Sequence, residues 1–358
     1  MVSVWQIGSG EVGRKYTDLF LEHDIMFCGP SEFGPFNEAV YGDVISKGTY
    51  SSHKIGQVRS FATQVQPGDF VLLRSGHQLV SIGVVEGAGY AHNTTFDDIY
   101  GWDLEHTHRV IWQDHLHDEI KELQTSKMIF ADRKQIPTFT GVGDAVVLDP
   151  LHHLFAKCIS RPLKSLPPPP SDLMTLDEFG EALFSQGVAF DAVQKVKATL
   201  EKQRRLLKWY RSSGLATDRP SEHEIVAHVI LPLMSALGWS EQLLAVEWHR
   251  IDLAVFWGTP TDKGHCEMIC EAKAMGHGLQ DVLQQAIGYA NKLDLSSCKK
   301  ILLADGGRFY LYKRSEHGWG TDPVGYLNVE QLRQRHVVPK GTNAVDTLVA
   351  LTPARMGR

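Results

Sequence analysis

A chain of 358 residues is long enough for two or three compact domains. With 43% hydrophobic and 22% charged residues it has the composition of a folded globular protein, which excludes global disorder. A formal net charge of −6 counts against gripping nucleic acid by overall charge and leaves any phosphate contact to local basic patches.

The opening stretch, residues 1–10, has no basic segment followed by a long apolar core, so a secretory leader is not expected. No run of about 18 apolar residues occurs, so no membrane-spanning helix is expected either. Residues 1–158 alternate short β-like runs with turn signals. Strands are predicted at Val2–Ile7, Phe70–Leu73, Leu79–Val85, His108–Trp112 and Ala145–Leu148. The turns Gln66–Asp69 and Ser75–Gln78 frame Phe70–Leu73, and the second makes it a hairpin with Leu79–Val85. A barrel-like β domain with a few helices fits this pattern.

Composition shifts over residues 159–172. The four-proline run Pro167–Pro170 favours an extended, semi-rigid spacer, and a domain boundary is placed there. Residues 173–215 read as a helical connector. Leu176, Phe179, Leu183 and Phe184 recur at helical spacing up to Gly187, and a second helix runs from about Asp191 to Tyr210. That helix carries Lys195, Lys197, Lys202, Arg204, Arg205, Lys208 and Arg211. Such a strip is either a solvated face or a phosphate-contacting surface.

From residue 216 to about 335 the pattern is helix, strand, strand, helix, strand. Glu222–Leu237 is amphipathic, with Ser221 as N-cap and Gly238 as stop. Arg250–Trp257 and His265–Lys273 are strands separated by a turn; Leu279–Asn291 is a helix. Lys300–Ala304 is a strand turned by Asp305–Gly307 into Phe309–Lys313. Residues 336–358 read as a loosely attached tail. The five cysteines are odd in number and scattered, which fits free thiols in a reducing cytoplasm. Cys266 and Cys270 share the apolar face of their strand and read as core.

Chemistry concentrates on two strands. Side chains alternate faces, so Glu271 and Lys273 point the same way, opposite Cys270 and Ala272. Asp252 sits in an equivalent place on the preceding strand. If the two strands pair as a hairpin, Asp252 and Glu271 converge, and carboxylates that close repel unless a cation lies between them. Oxygen ligands suit Mg2+, which Asp252, Glu271 and the backbone carbonyl of Ala272 would hold. The bound metal would polarise a phosphodiester and acidify a water, with Lys273 orienting that water or meeting developing charge.

The ordered pieces Ser221-Glu222, Leu231–Met234, Leu237–Trp239, Arg250–Asp252, Glu271–Lys273 and Gln285 with Tyr289 resemble the N-terminal nuclease domain of type I restriction enzyme R subunits, a branch of the PD-(D/E)XK superfamily. The resemblance covers residues 220–315. It implies an upstream metal-proximal glutamate, matched by Glu222 with Glu224 as second choice. It also implies a glutamine–tyrosine helix, matched by Gln285 and Tyr289, that positions the lysine or the DNA. The helicase motor of those subunits has no counterpart here, since no GxxxxGK[ST] run occurs.

Residues 1–150 resemble PUA-like and EVE-like domains in the order of Trp5–Ile7, the Pro67–Asp69 turn and the strand ending at Gly83–Tyr90. That resemblance implies a pocket for a modified base flipped from a duplex, with Trp5, Phe33, Phe36, Tyr50, Tyr90 and Trp102 as walls. Ser9, Ser75 and His77 would be its polar readers. Two further patterns carry alternatives. Gly8-Ser9-Gly10-Glu11-Val12-Gly13 matches a dinucleotide-binding loop, but no acidic residue closes a second parallel strand about twenty residues on. The histidines around 106–108 and 115–117 lack zinc-like partner spacing.

The fold class expected is α+β: a PUA-like β-barrel, a helical connector and an α/β nuclease domain. The expected function is a Mg2+-dependent, modification-directed DNA endonuclease in defence against foreign DNA, acting as a homodimer for double-strand cleavage. The alternatives are an inactive nucleic-acid-binding regulator with a nuclease-like fold and an NAD-dependent oxidoreductase.

Overall fold

The computed structural model describes residues 2–11, 14–126, 137–212, 220–275, 278–279 and 281–355. The chain divides into two compact units, Met1–Pro169 and Pro170–Arg358, the division falling inside the four-proline run. Both mix helix and sheet. Among the described residues no helix is long and apolar enough to cross a membrane.

The first unit is built on strands β1 (Val4–Gly8), β2 (Ile25–Cys28), β3 (Phe70–Ser75), β4 (Gln78–His92), β5 (His106–Trp112) and β6 (Phe139–Gly141). Their order in one curled sheet is β2-β5-β4-β3-β1-β6. Only β1 and β3 run parallel, with Val4 opposite Phe70. Among the described residues the outer strands β2 and β6 are not paired with each other, so the barrel expected from the sequence is an open curled sheet.

Helices α1 (Thr17–His23), α2 (Glu38–Ser46), α3 (Ser52–Gln64) and α4 (His117–Ser126) join these strands. Helix α3 forms because Ser51 accepts the Lys54 N–H at its N-terminus and because Ile55, Val58 and Phe61 recur on one face, all three fully buried. The predicted strand at Ala145–Leu148 is instead a short helix. Asp144 caps it by accepting from Val146 N, and Val147 packs with Leu151 and Leu154 at helical spacing while Val146 is exposed. A four-residue apolar run does not by itself distinguish a strand from a helical turn.

The segment leading to the prolines is fastened to this unit. Arg161 pairs with the buried Asp24 carboxylate at 2.5 and 2.8 Å, Lys164 N donates to the same group, and Ile159 N donates to Gln113.

The second unit begins with α5 (Leu176–Ser185), capped by a Thr175–Glu178 box, and α6 (Phe190–Ser212). Phe179, Leu183, Val196, Leu200 and Leu207 of these helices belong to the unit's core, so the expected connector is part of the domain. A continuous helical stretch, α7, comprises Glu222–Ile225, a π turn over Val226–Ile230, and Leu231–Ala236. Pro232 lacks an N–H and crowds the carbonyl four residues before it; the π turn opens the helix there.

Strands β7 (Leu244–Trp248), β8 (Ile251–Phe256), β9 (Cys266–Ala272), β10 (Lys300–Ala304), β11 (Arg308–Ser315) and β12 (Gly325–Asn328) lie in that order across a curled sheet. All neighbours are antiparallel except β9 and β10, which are joined by α8 (Val282–Lys292). Helix α8 starts three residues later than its sequence pattern predicts. Cys266, Met268, Cys270 and Ala272 are buried, as expected of a core face. All seven residues of β9 are buried, because helices and neighbouring strands cover both sides.

The stretch after residue 335 is not a loose tail. Helix α9 (Ala344–Ala350), capped by Asn343, places Ala344, Val345 and Leu348 in the core, and Trp239 Nε1 donates to the Leu351 carbonyl at 2.8 Å.

Candidate active site

Three strand ends and one helix start define a cluster in the second unit. Pairing of Leu253 with Cys270 in the β8–β9 hairpin brings Asp252 and Glu271 to the same end of the sheet. The Asp252 carboxylate accepts the Ala272 backbone N–H at 2.7 Å. Lys273 follows β9, and its backbone N–H donates to the Ala304 carbonyl of β10 at 2.8 Å. Its ammonium reaches Glu222 Oε1 at 3.1 Å. The structure thus brings Glu222, Asp252, Glu271 and Lys273 into one cluster.

The choice between Glu222 and Glu224 is made by the helix cap. Glu224 accepts from Ser221 N at 2.9 Å and is bound into the capping box, whereas Glu222 faces the lysine. Gln285 Nε2 lies 3.2 Å from the Tyr289 hydroxyl and 3.5 Å from Glu271 Oε2. The glutamine thus lies beside the Glu271 carboxylate.

The electrostatics are those of a site short of positive charge. Glu271 is 2% exposed, and its Oε1 is buried without a hydrogen-bond partner. Burial and then the neighbouring Asp252 push its carboxyl up to about 8. Burial also raises Asp252, with Glu222 and Glu247 adding to the rise and Lys273 opposing it. An orphaned carboxylate oxygen beside a second carboxylate fits a small hard cation. The donors on hand, Asp252, Glu271 and the Ala272 carbonyl, are the oxygens Mg2+ takes while keeping waters. Among the described residues no group of three or more His, Cys, Asp or Glu side chains is gathered as a metal cage, so a cation here would draw on the carbonyl and waters to complete its shell.

Sequence reading missed the turn that presents Asp252. Trp248 pairs with Ile251 across His249 and Arg250, at φ 52° and 74°, in a two-residue hairpin loop of the I′ kind. Glu247 (φ 54°) beside it pairs with His223 at 3.1 Å, which ties β7 to α7. Neither loop residue is the Asn-Gly that signals such turns.

The predicted base-pocket residues do not assemble as one group. Trp5 is a core residue: its ring stacks on Phe139 at 5.1 Å and its Nε1 donates to Asp69 at 2.8 Å. Ser9 is buried between Thr17 and the Arg74 carbonyl. Ser75 and His77 belong to the β3–β4 hairpin turn. Phe33, Phe36, Tyr50 and Tyr90 gather around Tyr41 and His106 instead, with Phe33–Tyr50 ring centres 6.1 Å apart.

His106 lies between the Tyr41 and Tyr90 hydroxyls, at 2.7 and 2.8 Å, and burial lowers it to about 4. It is a neutral, fully engaged ring rather than a zinc ligand. Of the predicted walls, Trp102 lines a cavity together with Tyr16, Phe20, Phe27, Lys54, Gly8 and Gly29. That cavity, of about 50 Å³, holds a few waters at roughly 10–15 Å³ each, so a flipped base enters only if a wall moves.

The dinucleotide-loop alternative loses its context. After Gly8 the chain forms a small strand pair, Gly10–Glu11 with Arg14–Lys15, rather than opening directly into a helix. The parallel partner of β1 begins only at Phe70, beyond the roughly 30 residues of a βαβ unit. Val12 and Gly13 lie outside the described residues. No protein-family model matches the chain, and no curated protein matches it.

Proposed function

We propose that the second unit hydrolyses phosphodiester bonds of DNA with Mg2+, and that the first unit directs it to DNA carrying a modified base. One observation carries the catalytic half: a buried glutamate, Glu271, with an unpartnered oxygen, beside Asp252 and a short step from Lys273. Such a group is costly unless it is protonated or meets a cation.

Asp252 and Glu271 would hold the metal, with the Ala272 carbonyl completing the protein donors. When bound, Mg2+ supplies charge neutralisation at the phosphate and acidifies a water. The chain's own groups do the rest. The Ala272 N–H fixes the Asp252 carboxylate, and Gln285 faces Glu271, so both ligands are oriented before substrate arrives. The Lys273 ammonium, held by Glu222, stands where it can meet negative charge developing on the phosphate oxygens. The base-reading half rests on the aromatic cavity at Tyr16, Phe20, Phe27 and Trp102, with Lys54 at its wall, which would admit a base only once a wall moves. One such site cuts one strand, so double-strand cleavage calls for two copies meeting on the DNA.

The test is digestion of matched duplexes bearing methylated, hydroxymethylated, glucosylated or unmodified bases, with Mg2+ and with EDTA. Cleavage confined to Mg2+ and to modified duplexes is the expected result. Cleavage of every duplex alike would remove the base-reading half, and no cleavage of any would remove the nuclease.

A further inference from the structure

A second feature of the second unit lies outside the carboxylate cluster. Arg204, Lys208 and Arg211 follow one another at four- and three-residue steps along α6, so they share a face and span about 10 Å. With Glu330 they line an open groove of about 580 Å³. Arg204 Nε donates to the Val329 carbonyl at 2.7 Å, and Arg211 makes a two-pronged contact with Glu330. Both guanidiniums are thus fixed at the groove, with the exposed Lys208 between them. Three cations against one carboxylate leave it net positive in a chain whose total charge is negative. The Arg211–Glu330 pair, largely exposed on its arginine side, adds only about 0–1 kcal/mol to stability.

The sheet shows where the groove lies. Glu271 and Ala272 pair with Leu303 and Ala304, Ala304 with Phe309, and Arg308 with Asn328, so one end of the sheet runs from the catalytic cluster to the exit of β12. Helix α6 is seated on that same end. Leu207 lies against Gly306 and Gly307, and Val329 N donates to the Gly307 carbonyl. Gly306, at φ 93°, leaves no room for a side chain: a Cβ there would stand 2.6 Å from Ile225 Cδ1. The groove is therefore three strand steps from β9, about 14 Å at roughly 4.8 Å per step. For a duplex whose axis follows that sheet end, at about 3.4 Å of axis per base pair, that is about four base pairs.

We infer that Arg204, Lys208 and Arg211 form a backbone cleat that grips the DNA about four nucleotides from the bond that is cut. The inference rests on the nuclease reading and adds to it a path for the bound DNA, along the sheet end from β9 toward β12. Contacts of this kind read charge and spacing, not base identity.

The experiment measures affinity of the full chain for a labelled 30-base-pair duplex in EDTA, between 50 and 200 mM salt. Lys208→Gln and Arg211→Gln are each expected to lower the slope of log affinity against log salt by about 0.9, equally for modified and unmodified duplexes. Glu330→Gln leaves Arg211 without its counter-charge and is expected to tighten binding, which guards against loss through misfolding. A methylphosphonate placed four nucleotides from the cut is expected to slow cleavage by the native protein and not by Lys208→Gln. Native binding with slopes unchanged in all three variants overturns the cleat and leaves the nuclease standing. A native protein that binds no DNA at any salt overturns both.

Discussion

Replacing Glu271 with glutamine keeps the side chain's shape and removes its ionisable proton. In the folded protein without metal, burial and Asp252 hold the Glu271 carboxyl at about 8 against an ordinary 4.5. The folded state therefore binds this proton more tightly than the unfolded chain. The resulting stability is complete below the ordinary carboxyl value and is lost as pH rises through about 8. The gap, at 1.36 kcal/mol per decade, sets a ceiling of about 5 kcal/mol, and sharing of the charge with Asp252 brings the expected loss to about 2–3 kcal/mol. At pH 5, just above the ordinary carboxyl value, most of this stability remains, and metal-free native protein and Glu271→Gln are expected to melt within a few degrees of each other. At pH 9 the variant melts higher by roughly 4–12 °C for a domain of this size. Saturating Mg2+ at 100 times its dissociation constant restores about 2.7 kcal/mol to the native protein and nothing to the variant. Melting curves at both pH values, with Mg2+ and with EDTA, make the comparison. If Glu271→Gln is no more stable than the native chain at pH 9, or if Mg2+ raises both equally, the buried-carboxylate reasoning is wrong.

Proton and metal compete for the same oxygens, so Mg2+ affinity is expected to rise with pH between 6 and 8 and flatten above; calorimetric titration reads this, and a pH-independent affinity would contradict it. Leu348→Ala, in the buried helix near the C-terminus, is expected to cost about 2–5 kcal/mol in denaturant unfolding, whereas a dispensable tail would cost nothing. Asp24→Ala strands Arg161 and the Lys164 N–H beside a buried site and is expected to cost about 3–5 kcal/mol in the first unit, followed by near-ultraviolet circular dichroism. Protonation should mimic it in part. Hydrogen bonds from Arg161 and Lys164 outweigh burial and hold Asp24 below the usual range, so its stabilisation is present at neutral pH and lost under acid.

Much of the second unit was legible because its signals are local. Ile301–Ala304 is an uninterrupted apolar run, and Ser221, Glu224 and Gly238 punctuate their helix by capping chemistry. The convergence of Asp252, Glu271 and Lys273 followed from the two-residue period of a strand and the order of the pieces. Strand β7 escaped notice because its turn uses His249 and Arg250, side chains that rarely take positive φ. Helix α9 escaped because the polar, proline- and glycine-bearing stretch 335–342 precedes it and looks like the start of a tail, although Val345, Leu348 and Leu351 keep helical spacing.

The aromatic cavity was the least legible feature. Tyr16 immediately precedes α1, Phe20 lies in it, Phe27 comes from β2 and Trp102 from a loop, and no local period gathers them. Trp5 looked like a pocket wall because Trp has an apolar body and a polar tip. The partner for that tip, Asp69, lies 64 residues away and is visible only in the fold.

The central claim is that Asp252, Glu271 and Lys273 make one phosphodiester-cutting centre. Its most direct measurement is the single-turnover cleavage rate of a modified duplex in Mg2+ by the native chain and by Lys273→Ala, with DNA affinity measured on both. The account predicts cleavage by the native chain, a rate lower by about 100-fold or more in the variant, and DNA affinity within a few-fold of native. Equal rates for the two proteins, or cleavage by the native chain undiminished in EDTA, would contradict it.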